Sequence, residues 1–386
     1  MRKGRVSRQR LPGLIAASLM IMVTLFWTFW GVAEMYHEGW WGAWINRLPY
    51  LVPILVCLLP TLAGITWPFL GGALILGLSV FVFFFFGPQL FVFYVPAGLV
   101  GALFLWDGVL KRRYPEAFIR PATWWRRHLL SLMAVGGTLL VALGVSAFNL
   151  PIVLSRQDDG DRSARLIEGN GVVLVWAPEG PGWNFRQAWG GYPSWQSVAL
   201  YDNPPTGFED KPGHIWGGPD FAYATAGDMQ NGSICSYLSE DGLTLMDEPQ
   251  DIWRMPTADE LVRSLVHHGE NAGCSWDGEV GLQVDCEQQP DKESPLWSTD
   301  HAAIYYWAED EYDTDEAVFV SYNGWVNATR KTSGNPRHSY RCVREPYRFQ
   351  SPAKASLTAR LAEQLPRRPD EACRYCGMDT GAHRQG

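Results

Sequence analysis

The polarity of the chain changes once, near residue 150, and different rules apply on either side. No charged residue occurs between Leu11 and Ala33, and none in the 59 residues from Leu48 to Trp106. At 1.5 Å per helical residue, a hydrocarbon core of about 30 Å takes roughly 20 residues to cross. The first run is therefore one span and the second is three. Pro68 and Gly87-Pro88 divide the second into Leu48 to Trp67, Phe69 to Phe86 and Gln89 to Trp106, and a last apolar run goes from Leu129 to Leu150. A soluble helix of such length would carry charge on an outer face. Residues 1–150 are thus predicted to be an α-helical transmembrane bundle of five spans, in contact with the lipid bilayer. Because none of the five runs contains Asp, Glu, Lys or Arg, the bundle reads as an anchor rather than a transport path. Gly71, Gly72, Gly77, Gly98 and Gly101 would let its helices approach closely.

Beyond Pro151 the pattern turns polar and aromatic. Residues 151–165, with Gln157-Asp158-Asp159-Gly160-Asp161, read as a linker. Gly171 to Trp176 is β-branched and bounded by glycine and Pro178, which predicts a strand. From Gly180 to Gly218 no period is visible, so loops with short strands are expected. A helix is predicted within Phe221 to Leu238, ending at Cys235. A second is predicted from Ala258 to His267, where Thr257 caps and Glu260 stands at its third residue. Gly269 to Ser298 is irregular. Ala303 to Tyr306, Ala317 to Tyr322 and Ser339 to Val343 read as strands, and Asn323-Gly324 is the turn into Trp325 to Ala328. Helices within irregular loops, closed by a short antiparallel sheet, predict an α+β domain over residues 166–350. The tail, 351–386, holds a short helical pattern from Lys354 to Gln364 and the pair Cys373-Arg-Tyr-Cys376.

Charge supplies the sidedness. Residues 1–150 carry twelve Lys and Arg against four Asp and Glu, a net +8, while the remainder carries 20 against 36, a net −16. Arg2, Lys3, Arg5, Arg8 and Arg10 precede span one; Lys111, Arg112, Arg113, Arg120, Arg126 and Arg127 lie between spans four and five. The positive-inside rule places both groups in the cytoplasm. Five crossings then put the C-terminal domain outside an inner or plasma membrane, and Trp40, Trp41 and Trp44 suit an aromatic belt on the outer loop. The first run is longer than a signal-peptide core and is followed by no small-residue cleavage site before Glu34, so an uncleaved span is expected. A domain at −16 repels phosphate, which argues against nucleic acid.

Cys57 lies inside span two and reads as an inert packing residue. The other six cysteines, Cys235, Cys274, Cys286, Cys342, Cys373 and Cys376, all follow residue 151, as an oxidising compartment favours. Six allow 15 pairings, and spacing does not choose among them. Cys373 and Cys376 could form a local disulfide, a metal site with His383, or a redox pair.

Trp253-Arg254-Met255-Pro256-Thr257, followed by Glu260-Leu261, has Cys235 upstream, Trp307 on a later strand and Ser339-Tyr340-Arg341-Cys342-Val343-Arg344 at the end. In that order these motifs resemble the Lcl C-terminal domain family, a branch of the C-type-lectin-like fold related to the formylglycine-generating, sulfatase-modifying domain. Met255 replaces the family's usual leucine, and Ala308-Glu309-Asp310 stands where small hydroxyl residues are common. The resemblance implies that Cys235 pairs with Cys342; Cys274 would then pair with Cys286, and Cys373 with Cys376. It also implies a domain that binds a glycan or protein ligand, for adhesion or sensing. The reactive-cysteine segment of the formylglycine-generating relatives is absent, so no catalytic residue is carried over. An extracytoplasmic enzyme of that kind, or a sensing subunit of a membrane complex, is the competing reading.

The acidic run Glu309 to Glu316 has six carboxylates in eight residues. With Trp307 and Trp325 it reads as a ligand-binding rim formed by Trp307, Glu309, Asp310, Asp313, Asp315, Asn323 and Trp325. Hard oxygen donors at Glu309, Asp310, Asp313 and Asp315 could hold Ca²⁺, although the spacing is not that of an EF-hand; no other cofactor is expected. Arg330, Lys331, Arg337 and Arg341 are the cations that could form a separate patch for a sulfated glycan. His267-His268 with Glu270 reads as a solvated helix end.

Overall fold

The computed structural model describes residues 8–118, 123–184, 192–202 and 222–346; the Cys373/Cys376 pair and the tail lie outside these. Among the described residues, five helices are long and apolar enough to cross a membrane, as a multi-pass membrane protein requires. They are α1 (Leu11–Glu34), α2 (Leu48–Thr66), α3 (Pro68–Phe86), α4 (Phe91–Arg113) and α5 (Trp124–Ser155). The breaks fall where Pro68 and Gly87-Pro88 put them. However, α5 runs through Pro151 to Ser155, because a proline within an apolar span is tolerated when neighbours satisfy the freed carbonyl. Gly71 packs on the backbone of Gly64 and Gly72 on that of Gly101, so a methyl group at either would collide with main chain. Gly77 faces open space and has no such role. Between α1 and α2, Thr24 and Thr61 share a buried hydroxyl hydrogen bond of 3.2 Å.

The C-terminal domain is built on two larger sheets. One has three strands, in the order β1 (Arg165–Glu168), β2 (Val173–Trp176), β11 (Val343–Arg344). The other has six. They are β3 (Trp183–Asn184), β10 (His338–Arg341), β7 (Tyr305–Glu311), β8 (Glu316–Ser321), β9 (Trp325–Arg330) and β6 (Leu282–Gln283), with β10 and β7 parallel. Short helices α6 (Trp195–Ala199), α7 (Ala226–Gly232) and α8 (Ala258–Arg263) surround them, so the domain is α+β. The helix expected through Leu238 stops at Gly232, and a 3-10 turn, Ile234–Tyr237, carries Cys235. The helix expected to reach His267 stops at Arg263. Val266–His267 instead pairs with Glu270–Asn271 as the hairpin β4–β5, turned by positive φ at His268 and Gly269.

Two disulfides join these elements, Cys235–Cys342 and Cys274–Cys286. The first spans 107 residues. Constraining the unfolded chain over such a loop contributes about 4 to 5 kcal/mol in the chain-entropy account.

The domain is joined to the bundle by more than the chain. Trp41, in the loop between α1 and α2, is buried in the same hydrophobic cluster as Leu174, Trp176, Leu261 and Trp297. It does not stand in an aromatic belt, although Trp44 is exposed. Residues 156–163, within the expected linker 151–165, are held as well. Arg156 pairs with Asp291 at 2.6 Å, and Asp158 binds Arg162 and accepts from the Thr299 amide and hydroxyl at 2.9 and 2.7 Å. Burial alone would raise the Asp158 pKa, but these hydrogen bonds prevail and hold it well below the usual carboxylate range.

Candidate functional site

The Trp253 to Leu261 segment forms a structural corner with a polar outer surface. Trp253 and Leu261 are buried, and the Trp253 indole donates to the Ser239 carbonyl at 2.9 Å. Arg254 pairs its backbone with Val343 in both directions, which ties the motif to β11. Pro256 cannot donate, but its carbonyl accepts from the Glu309 amide. Thr257 and Glu260 form the expected capping box: the hydroxyl accepts from the Glu260 amide at 3.2 Å, and the carboxylate accepts from the Thr257 amide at 2.9 Å.

The Arg254 guanidinium donates to both Glu260 oxygens at 2.7 Å and reaches Glu345 at 3.1 Å. Burial alone would raise the Glu260 pKa, yet the Arg254 fork and the Thr257 amide lower it, and the same pair raises that of Arg254. Beside this pair lies a crevice of about 400 Å³ lined by Met229, Gln230, Met255, Thr257 and Glu309. Two of its lining residues meet there, Gln230 donating to Glu309 at 2.6 Å.

The rim expected around the acidic run is not assembled in one place. Trp307 is wholly buried, its indole donating to the Pro193 carbonyl, and His338 stacks on it at 4.6 Å. The register Glu316↔Arg330 to Val320↔Val326 puts the acidic turn and Trp325 at opposite ends of the β8–β9 hairpin. Five residue steps separate them, about 17 Å. Asn323 sits at the Trp325 end, where its carbonyl accepts from Gln283 and Gln289.

The four carboxylates read as Ca²⁺ ligands are not drawn together either. Glu309 binds Gln230, Asp310 accepts from the Ala258 amide at 2.6 Å, and Asp313 accepts from the Asp315 and Glu316 amides of its own turn. The cation beside the run belongs to the protein: Lys331 Nζ reaches Glu311 at 3.3 Å and donates to the Ala224 and Thr314 carbonyls. Lys331 and Arg341 are both buried, so they form no surface patch with Arg330 and Arg337. Arg341 instead lies 3.7 Å from the Trp183 ring and donates to the Ala177, Pro295 and Leu296 carbonyls, and burial pushes its pKa down to about 10.

A second constellation, unforeseen from the sequence, lies where α1 meets the domain. The helix ends in a π turn, Met35–Gly39. Within it Glu38 accepts from the Tyr50 hydroxyl at 2.7 Å and the Tyr305 hydroxyl at 3.2 Å, while Arg337 donates to the Tyr50 oxygen at 3.0 Å. His37 packs on Tyr322 with 5.5 Å between rings, and its carbonyl accepts from the Trp41 indole. Burial, with Glu38 beside it, raises the Tyr305 pKa, so the phenol stays protonated as a donor.

No protein-family model, curated protein or solved structure matches this chain.

The site residues therefore rest on geometry alone. Of those expected from the sequence, Arg254, Thr257 and Glu260 meet Glu309 at the crevice, while Trp307 is core and Asp313, Asp315, Asn323 and Trp325 lie elsewhere. Met229 and Gln230 at the crevice, and Glu34, His37, Glu38, Tyr50 and Tyr305 at the junction, carry no short motif. The one available signal was Glu34-x-x-His37-Glu38, three donors on one helical face.

Proposed function

We propose that this multi-pass membrane protein presents a lectin-like, disulfide-stapled domain on the extracytoplasmic side, and that the crevice beside Arg254 and Glu260 binds a polar ligand, a glycan or a protein segment. The crevice is the observation that carries this reading. Its volume is in the range of small-ligand sites, and it offers an amide, a hydroxyl and a carboxylate at Gln230, Thr257 and Glu309. The cation distribution and the two disulfides support the exterior location. Trp41 in the domain core favours a sensing role as the second reading, because a ligand that shifts the domain would act directly on the loop between two spans.

A glycan array probed with the full-length protein in detergent tests the reading. Gln230→Ala and Glu309→Gln are each expected to weaken binding at least tenfold, and Trp325→Ala to leave it unchanged. Equal binding by wild type and both crevice variants would refute the assignment.

A further inference from the structure

Among the described residues, the His, Cys, Asp and Glu side chains whose donor atoms approach one another in a group of three are Glu34, His37 and Glu38, within 4.8 Å. We propose that these three bind a first-row divalent metal ion of the Zn²⁺ or Mn²⁺ class at the junction of the first span and the C-terminal domain. The inference does not depend on the ligand-binding reading of the crevice.

The donor set is one imidazole nitrogen and two carboxylates, which suits borderline and hard divalent ions rather than soft Cu(I). Two carboxylates four residues apart on one helical face repel each other, and a bound cation reverses that cost. The carboxylates are also oriented in advance. Both Glu38 oxygens receive tyrosine hydroxyls, from Tyr50 and Tyr305, and each keeps a further lone pair for a metal.

His37 is held in the same manner. Its ring lies against Tyr322, its backbone carbonyl takes the Trp41 indole, and Nδ1 is 3.5 Å from Glu34. The buried Nε2 has no hydrogen-bond partner among the described residues, so the ring is not committed elsewhere. The π turn that carries His37 and Glu38 is rare in helices and is frequent at functional sites. A water or a substrate group would complete the coordination.

The test uses the full chain in detergent, with Cys373→Ser and Cys376→Ser to remove the other donor-rich segment. Treated with chelator and titrated with Zn²⁺ in a calorimeter, it is expected to bind one equivalent, and Mn²⁺ should give a bound electron-spin-resonance spectrum. Glu34→Gln and His37→Gln should each weaken Zn²⁺ binding more than tenfold, Tyr305→Phe about tenfold, and Glu309→Gln not at all. Because the variants could perturb the junction, Zn²⁺-dependent thermal stabilisation is read against each variant's own metal-free transition: present in the parent, absent in the variants. A parent that shows no saturable one-equivalent binding overturns the proposal. So does undiminished binding in both Glu34→Gln and His37→Gln, which would leave His37 as a simple ion-pair partner of Glu34.

Discussion

Trp41→Ala is expected to destabilise the C-terminal domain by about 4 kcal/mol, the range for removing a large aromatic from a packed core. The residue belongs by sequence to the loop between two spans, yet it is 2% exposed and packed within the domain's own cluster. Charged groups depend on it too. The Arg156 guanidinium lies 4.2 Å and Lys292 Nζ 4.5 Å from its ring. Lys292 is wholly buried and donates to the His301 carbonyl, and burial together with Arg337 and Arg156 pushes its pKa well down. Without the indole both groups face a void in the interior, where uncompensated polar atoms are costly. Denaturant unfolding of the full-length protein in detergent, followed by near-UV circular dichroism, measures the loss. A change within 0.5 kcal/mol, the usual range for a surface substitution, would mean that the domain is merely tethered.

Acid should unfold the domain through His338. This side chain is buried among Trp307, Phe319 and Tyr305, and neither ring nitrogen has a hydrogen-bond partner among the described residues. Burial lowers its pKa to about 3. The sign follows from linkage: below pH 6.5 the unfolded chain takes up a proton that the folded one refuses, so stability falls as pH falls. The slope is about 1.4 kcal/mol per pH unit, or roughly 3 kcal/mol between pH 6.5 and pH 4. It ends near the folded value.

Asp158 and Glu260, whose pKa values are lowered, also make the fold sensitive to acid, but in another window. Their contributions are complete above the ordinary carboxylate range and are lost only below it. The interval from pH 6.5 to 5 therefore isolates the histidine. His338→Phe, which keeps the aromatic nest filled, should flatten the dependence there, and an unchanged slope would show that His338 is not its source.

The features readable in the sequence were those decided locally. Charge-free length fixes a span, proline and glycine end it, and the Thr257/Glu260 box closes within one turn. Features decided by distant partners were not readable. Glu309, Asp310 and Glu311 read as an acidic rim beyond a strand that ends at Tyr306, yet they continue β7, and Gln230, the Ala258 amide and Lys331 each meet one of their carboxylates. Trp307 looked like a ligand face because a tryptophan in a strand carries no mark of which side is covered. Trp41 looked like a membrane belt for the same reason. The crevice needs α7, α8 and β7 together, so its Arg254 to Glu260 edge and Glu309 were readable one by one, but not their meeting, nor Met229 and Gln230.

The measurement that bears most directly on the account is the sidedness of two introduced cysteines. Asp313→Cys lies in the acidic turn of the domain, and Lys111→Cys lies at the end of α4. In sealed, right-side-out membrane vesicles, a membrane-impermeant maleimide should label Asp313→Cys at once and Lys111→Cys only after lysis. Labelling of Lys111→Cys in sealed vesicles, with Asp313→Cys protected until lysis, would place the stapled domain in the cytoplasm and contradict the account.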